Sequence, residues 1–186
     1  ASNVYAGSWL EGAGAVYAEN QALQWLVDLA GLPDTAGGVF VSGGTNGNLS
    51  ALIAARWSWR AHRRGQAERL RPIIIASGGA HSSIGLAANA MDADLVTAAV
   101  DNTGRLTAAA VRHTFEALSE QDQQRVCAVV ATSGTTNIGV IDDLDGIGDF
   151  ARANNVWFHV DGAYGAAALC ASSVRHLFVG IEKVDS

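Results

Sequence analysis

Val156-Trp157-Phe158-His159-Val160-Asp161-Gly162-Ala163-Tyr164-Gly165 sets a single carboxylate at the carboxyl end of an apolar run. Val156 to Val160 is rich in β-branched and aromatic residues, which predicts a buried strand. Asp161 then falls where open parallel sheets bind their ligands. Gly162, Ala163 and Gly165 leave room for a group to lie against the backbone. Two readings of Asp161 stand at this point: a grip for a cationic group, or a helix N-cap or turn residue.

Outward from this stretch, short apolar runs alternate with longer segments of helical period, the pattern of a parallel α/β sheet. The strands are expected at Gly38 to Val41, Ile73 to Ser77, Leu95 to Val100, Val126 to Thr132 and Val156 to Asp161. Helices are expected at Thr45 to Arg64, His81 to Met91, Thr107 to Glu120 and Leu144 to Asn154, with Thr107 as an N-cap. An opening helix, Ala15 to Ala30, turns Val16, Leu23, Leu26, Val27 and Ala30 to one side and stops at Gly31-Leu32-Pro33. The expected fold class is α/β, a three-layer, mostly parallel sheet flanked by helices, and the length favours one domain. The glycines gather where strands hand over to helices, so the carboxyl edge of the sheet is the expected seat of chemistry.

With 49% hydrophobic and only 16% charged residues, the chain is expected to bury a sizeable core rather than stay disordered. A net charge of −6 argues against nucleic acid as a partner, since phosphate backbones attract clustered Lys and Arg. The one basic cluster, Arg60 to Arg71, reads as a solvated helix end. Nothing at the start reads as a signal peptide, and no apolar run reaches eighteen residues, so no membrane segment is expected. Cys127 and Cys170 are too few for a disulfide framework and lie in apolar surroundings, which predicts buried free thiols and a cytoplasmic setting. Eleven of the twelve basic residues are arginine, and Lys183 is the only lysine.

Three further loops share the address of Asp161. Val41-Ser42-Gly43-Gly44-Thr45-Asn46-Gly47-Asn48 can converge backbone N–H groups on a phosphate at a helix N-terminus, or can be a tight turn with Thr45 as N-cap. It lacks the Lys-Ser/Thr pair of a P-loop and the G-x-G-x-x-G spacing of a dinucleotide site. Ser77-Gly78-Gly79-Ala80-His81-Ser82-Ser83 offers an imidazole that can stack on a flat ring and pass a proton, or can serve a structural role at a helix start. Its serines sit in no G-x-S-x-G elbow. Ala131 to Gly139, with Thr132, Ser133, Thr135 and Thr136, offers a wall of small hydroxyls. Asp142, Asp143 and Asp145 lack the loop glycine and bidentate Glu of a calcium site and read as helix-start acids, so no metal is expected. Together the four loops describe a pocket for a flat, cationic, phosphorylated heteroaromatic, and pyridoxal 5'-phosphate suits it best.

At these residues the chain resembles the group II pyridoxal-phosphate-dependent amino acid decarboxylases, the family that includes aromatic-amino-acid and glutamate decarboxylases. The likeness runs from about Ser8 to Ser186. It is carried, in order, by the Trp25-to-Pro33 stretch, Ser42-Gly-Gly-Thr45 with Asn48-Leu49, Ala51-Leu52 and Ala55-Arg56, then His81-Ser82-Ser83, Gly134-Thr-Thr136 and His159-Val-Asp161. Each motif is weak alone, and the ordered set is specific.

The resemblance implies a fold type I large domain, as in the pyridoxal-phosphate-dependent transferases, and a carboxy-lyase acting on an L-amino acid as a homodimer. It implies that Gly44 and Thr45 contact the cofactor phosphate and that His81 stacks on the pyridine ring beside the departing carboxylate. Asp161 would pair with the protonated ring nitrogen, Ala163 would pack on the ring face opposite His81, and Thr136 would line the pocket. His81 and Asp161 are thus the expected catalytic residues.

The family's Schiff-base lysine belongs to a His-Lys pair a few residues beyond a Val-Asp-Ser segment, and Lys183 lies before that segment. Residues 1–186 are therefore expected to be a partial large domain, inactive alone, without the amino-terminal segment, the Schiff-base lysine segment or the carboxyl-terminal small domain. Other readings stay open: a carbon–carbon lyase, desulfurase or aminotransferase on the same cofactor, a non-catalytic scaffold or interaction protein, or a nucleotide-binding Rossmann-like domain. The amino acid substrate is not specified by this sequence.

Overall fold

The computed structural model describes Tyr5, residues 8–63 and residues 70–186, in two compact units, Ala1–Val41 and Ser42–Ser186.

The first unit is built on α1 (Trp9–Ala30), which begins six residues before the expected Ala15, with Ser8 at its N-cap. Glu11 in the first turn suits the positive end of the helix dipole. The helix stops where expected: Gly31 takes φ 70°, a left-handed value that a Cβ disfavours. On the expected apolar face Val27 is buried, whereas Leu26 is half exposed. No strand forms at Gly38 to Val41. Phe40 N–H instead donates to the Glu19 carboxylate at 2.9 Å, and Gly38 backs onto Leu23. A short apolar run without a ladder partner has no reason to hold strand geometry.

The second unit runs α2 (Gly44–His62), β1 (Ile73–Ser77), α3 (Ser82–Ala90), β2 (Asp94–Ala98), α4 (Ala108–Glu116), α5 (Glu120–Gln123), β3 (Val126–Thr132), α6 (Leu144–Asn154) and β4 (Trp157–Asp161), then 3-10 turns at Ala166–Cys170, Arg175–Phe178 and Ile181–Lys183. All strand pairs are parallel, in the order β2-β1-β3-β4. The central strands β1 and β3 are buried at every position, hence their predominance of Ile, Val and Ala, with Cys127 inside β3 and the hydroxyls Ser77 and Thr132 at the carboxyl ends. On one face Ile74, Ala76, Ala128 and Val130 meet Leu52, Ala55 and Trp59 of α2 and Ile84, Ala87, Ala88 and Met91 of α3. Arg56 ties these helices by donating to the Met91 carbonyl at 2.6 Å. The opposite face packs on α4 and α6, where Phe115 and Phe150 meet edge to face at 5.4 Å. The three layers match the expected class.

Local chemistry sets the boundaries. Thr107 caps α4 by accepting from Ala110 N–H at 3.2 Å, as expected. The segment expected as one helix to Glu120 breaks after Glu116, because Ser119 caps a new start by accepting from Asp122 N–H. β2 ends at Ala98 rather than Val100, which instead bridges antiparallel to Leu106. α2 starts at Gly44 with Gly43 as its cap, so Thr45 lies in the first turn and is not the N-cap. Its expected end at Arg64 falls outside the described residues, as does part of the basic cluster; Arg60 and Arg71 are exposed. Cys127 is buried, and burial pushes its thiol up to about 12. Cys170, expected to be buried, is exposed at the end of its 3-10 turn, where Leu169 takes the inward position.

Candidate active site

From β1 the chain passes to β2 on one side and then returns to β3 on the other. The crossover leaves a crevice between the carboxyl ends of β1 and β3, the place where open α/β sheets take ligands. His81 follows β1, Thr132 to Thr136 end and follow β3, and Asp161 ends β4. α2 packs on β3 and β4 and brings its N-terminus to the same edge, without a strand of its own before it.

A cleft of about 230 Å³ opens there. Its walls include all six residues expected from the sequence: Gly44, Thr45, His81, Thr136, Asp161 and Ala163. Asn48, Thr132, Gly134 and Tyr164 complete it. Asp161 is the only carboxylate among the described lining residues, and neither Lys nor Arg is among them. The positive pole opposite it is the α2 N-terminus, whose first N–H groups lack intrahelical acceptors. A ligand with a cationic end and an anionic end is complementary to this pair of poles.

Asp161 is 7% exposed. Its Oδ1 accepts from Ala163 N–H at 3.1 Å, a turn contact, and its Oδ2 accepts from Asn48 Nδ2 at 2.9 Å. The turn reading of this residue is thus fulfilled, and the same carboxylate lines the cleft. His81 is likewise both capping and cleft-lining: it is the N-cap of α3, its Nδ1 accepting from Ser83 N–H at 3.2 Å. Thr136 is exposed on a loop closed by Gly134 and Thr135 N–H groups donating to the Val140 carbonyl.

Glycines in these loops seat the chain against itself. A Cβ on Gly44 would come within 2.7 Å of Ala163 Cβ, so the absent side chain lets α2 approach the turn after β4. The space beside Gly162 and Gly165 is filled by the protein itself: Ala166 lies against Gly162, and the Ser133-Gly134 backbone lies against Gly165. These glycines seat one cleft loop on another rather than making room for a ligand.

From sequence Asn48 appeared only within a motif, with no role of its own, and Thr132 only as part of the hydroxyl wall. Asn48 had a readable signal, being the polar member of the stripe Asn48, Leu52, Ala55, Trp59 that α2 buries. Thr132 ends a fully buried strand, and its Oγ1 has no hydrogen-bond partner, leaving a polar group free at the cleft wall. The acids after β3 serve backbone groups. Asp143 caps α6 and also accepts from Ala108 N–H, and Asp142 accepts from Leu106 and Thr132 N–H groups. Lys183 lies outside the cleft lining, its Nζ 2.8 Å from Asp145 and 2.5 Å from Asp149, and these bonds hold its pKa above the usual lysine range.

The family described as "Pyridoxal-dependent decarboxylase conserved domain" matches residues 8–186. The chain is 39% identical over 191 residues to an L-2,4-diaminobutyrate decarboxylase of Rhizobium meliloti (strain 1021), covering 100% of this chain and 37% of that protein. It is 32% identical over 187 residues to an aromatic-L-amino-acid decarboxylase of Bacillus atrophaeus, covering 99% and 38%. Among solved structures, Oryza sativa TDC with PLP and tryptamine superposes with a TM-score of 0.86 at 25% identity, covering 98% of this chain and 42% of that one. The chain therefore spans well under half the length of these relatives.

Proposed function

The chain belongs to the pyridoxal-dependent decarboxylase family, and on that premise we propose that the full-length protein removes the α-carboxyl group of an L-amino acid with pyridoxal 5'-phosphate as cofactor. The observation that carries this reading is the buried Asp161 carboxylate facing the same cleft as the α2 N-terminus and His81.

The residues present fit the cofactor. The cleft pairs a negative pole with a positive one, the Gly44–Ala163 contact keeps both elements close, and the orphan Thr132 Oγ1 offers a spare polar group. Gly44 and Thr45 would hold the phosphate through backbone N–H groups, with the helix dipole adding to the attraction. Asp161 would hold the proton on the pyridine nitrogen by a charge-assisted hydrogen bond, roughly twice as strong as a neutral one. His81 and Ala163 would clamp the two ring faces, with His81 beside the departing carboxylate, and Thr136 would line the substrate side. When bound, the cofactor supplies an electron sink for the pair left behind as carbon dioxide departs. Asp161 sharpens that sink by keeping the ring nitrogen protonated.

Residues 1–186 are, in this reading, part of the large cofactor-binding domain. The exposed Ile138 and Tyr164 on loops beside the cleft support a homodimer whose second subunit covers them. Two free cysteines suit a cytoplasmic setting. Among the described residues no helix is long and apolar enough to cross a membrane.

Product analysis on the purified full-length protein tests the reaction. An amine and carbon dioxide in equal amounts are expected from an L-amino acid. A keto acid or an aldehyde without the amine would assign the site to different chemistry.

A further inference from the structure

Asn48 is 4% exposed and all of its side-chain polar groups are engaged. Its Nδ2 donates to Asp161 Oδ2 at 2.9 Å and to Ser83 Oγ at 2.8 Å, and its Oδ1 faces His159 Nε2 at 2.9 Å. The amide cannot be reversed, since its oxygen would then confront a carboxylate oxygen. His159 Nε2 must therefore carry a proton and donate. Its Nδ1 lies 3.0 Å from Ser186 Oγ, which also accepts from Trp157 Nε1 at 2.8 Å, and 3.2 Å from the Ser186 carbonyl oxygen. On the other branch, Ser83 Oγ accepts from Asn48 and lies 2.8 Å from His81 Nδ1, which is an acceptor because Ser83 N–H also points to it.

The bonds around Asn48 thus share one sense. Protons point from His159 Nε2 to Asn48, and there the path divides to Asp161 and, through Ser83, to His81. Burial lowers the pKa of His159 and favours the neutral ring, with the Ser186 backbone bond and the Asp161 charge opposing. We propose that Asn48 is a positioning residue that sets Asp161 and His81 together through one amide, with neutral His159 fixing the amide's sense. This inference rests on reading the cleft as the pyridoxal 5'-phosphate site. It makes the ring-nitrogen partner and the ring-stacking partner a coupled pair, and it assigns the proton of neutral His81 to Nε2.

The test uses the full-length protein. Asn48→Ala is expected to weaken pyridoxal 5'-phosphate binding roughly tenfold, the loss typical of a hydrogen bond to a charged group, and to shift the absorption band of the bound cofactor. Asn48→Asp, equal in size but unable to donate from both positions, should do the same. In an Asp161→Asn background the Asn48→Ala effect should largely vanish, whereas a merely structural residue gives additive losses. Histidine-selective nitrogen NMR on the unmutated protein, which needs no variant to fold, should find His159 neutral with its proton on Nε2 near pH 7.

Unchanged affinity and spectrum in both Asn48 variants, additive losses in the double variant, or a His159 proton on Nδ1 would each overturn the proposal. Unmutated protein that takes up no pyridoxal 5'-phosphate would instead overturn the functional reading beneath it.

Discussion

Asp142 and Asp161 are both buried carboxylates near the carboxyl edge of the same sheet, yet their surroundings ask different things of them. Asp142 is 1% exposed and spends its two oxygens on backbone donors, Leu106 N–H and Thr132 N–H, each at 2.7 Å. Burial pushes it up to about 6, the two backbone bonds opposing. Asp161 accepts one backbone bond and one side-chain bond, and it borders open space. Asp142 staples the segment before α4 to the end of β3, whereas Asp161 faces the cleft. A displaced titration in a buried acid is a common pointer to function; in Asp142 it belongs to a staple outside the cleft lining.

The largest effect that would sharpen this contrast is on turnover. Asp161→Asn in the full-length protein should lower kcat by about 10²- to 10³-fold, as loss of one preorganised electrostatic partner does, with a smaller loss of cofactor affinity; steady-state kinetics and cofactor titration check it. Asp142→Ala should act on stability instead. It strands two buried N–H groups at ~1–3 kcal/mol each, so urea denaturation should show a loss of about 3 kcal/mol.

The pH dependence separates the two acids further. The folded-state pKa of Asp142, about 6, lies above its ordinary value of 3.8, so between these pH values the folded state holds a proton that the unfolded chain has released. Stability from this group is full at low pH and falls as pH rises through 6, by about 3 kcal/mol across the window at ~1.4 kcal/mol per pKa unit. Thermal melts of the natural protein and Asp142→Asn at pH 4.5 and 7 should show the natural protein gaining on the variant at the lower pH.

Two smaller effects probe what surrounds the cleft. Gly44→Ala drives a Cβ against Ala163, and should cost about 1–3 kcal/mol of overpacking strain while weakening cofactor binding. Lys183→Met should change stability by less than about 1 kcal/mol, since its acidic partners are well exposed, and should leave kcat unchanged. A severe loss of turnover in Lys183→Met would erase the distinction between cleft and periphery drawn here.

Much of the molecule was readable from local signals. The central strands announce themselves because double-sided burial demands predominantly apolar residues, and α6 is matched from Leu144 to Asn154. Gly38 to Val41 misled because apolar character alone does not supply a ladder partner. The six cleft residues were legible through ordered loops at one sheet edge. Asn48 and His159 were not, because their roles depend on partners 113 and 111 positions away. Cys170 shows the same limit in reverse, its apolar neighbours in sequence failing to predict the surface it occupies.

That long separation also orders events in time. Asn48 leaves the ribosome more than a hundred residues before Asp161, with β1, β2 and β3 to be laid down between them. Non-local pairings of this kind close late in folding, after their loop entropy has been met. The cleft therefore has no early, half-built form for a cofactor to grip: capture waits until β4 has joined β3, and a chain stalled before residue 161 keeps its glycine-rich turn without the acid that completes it.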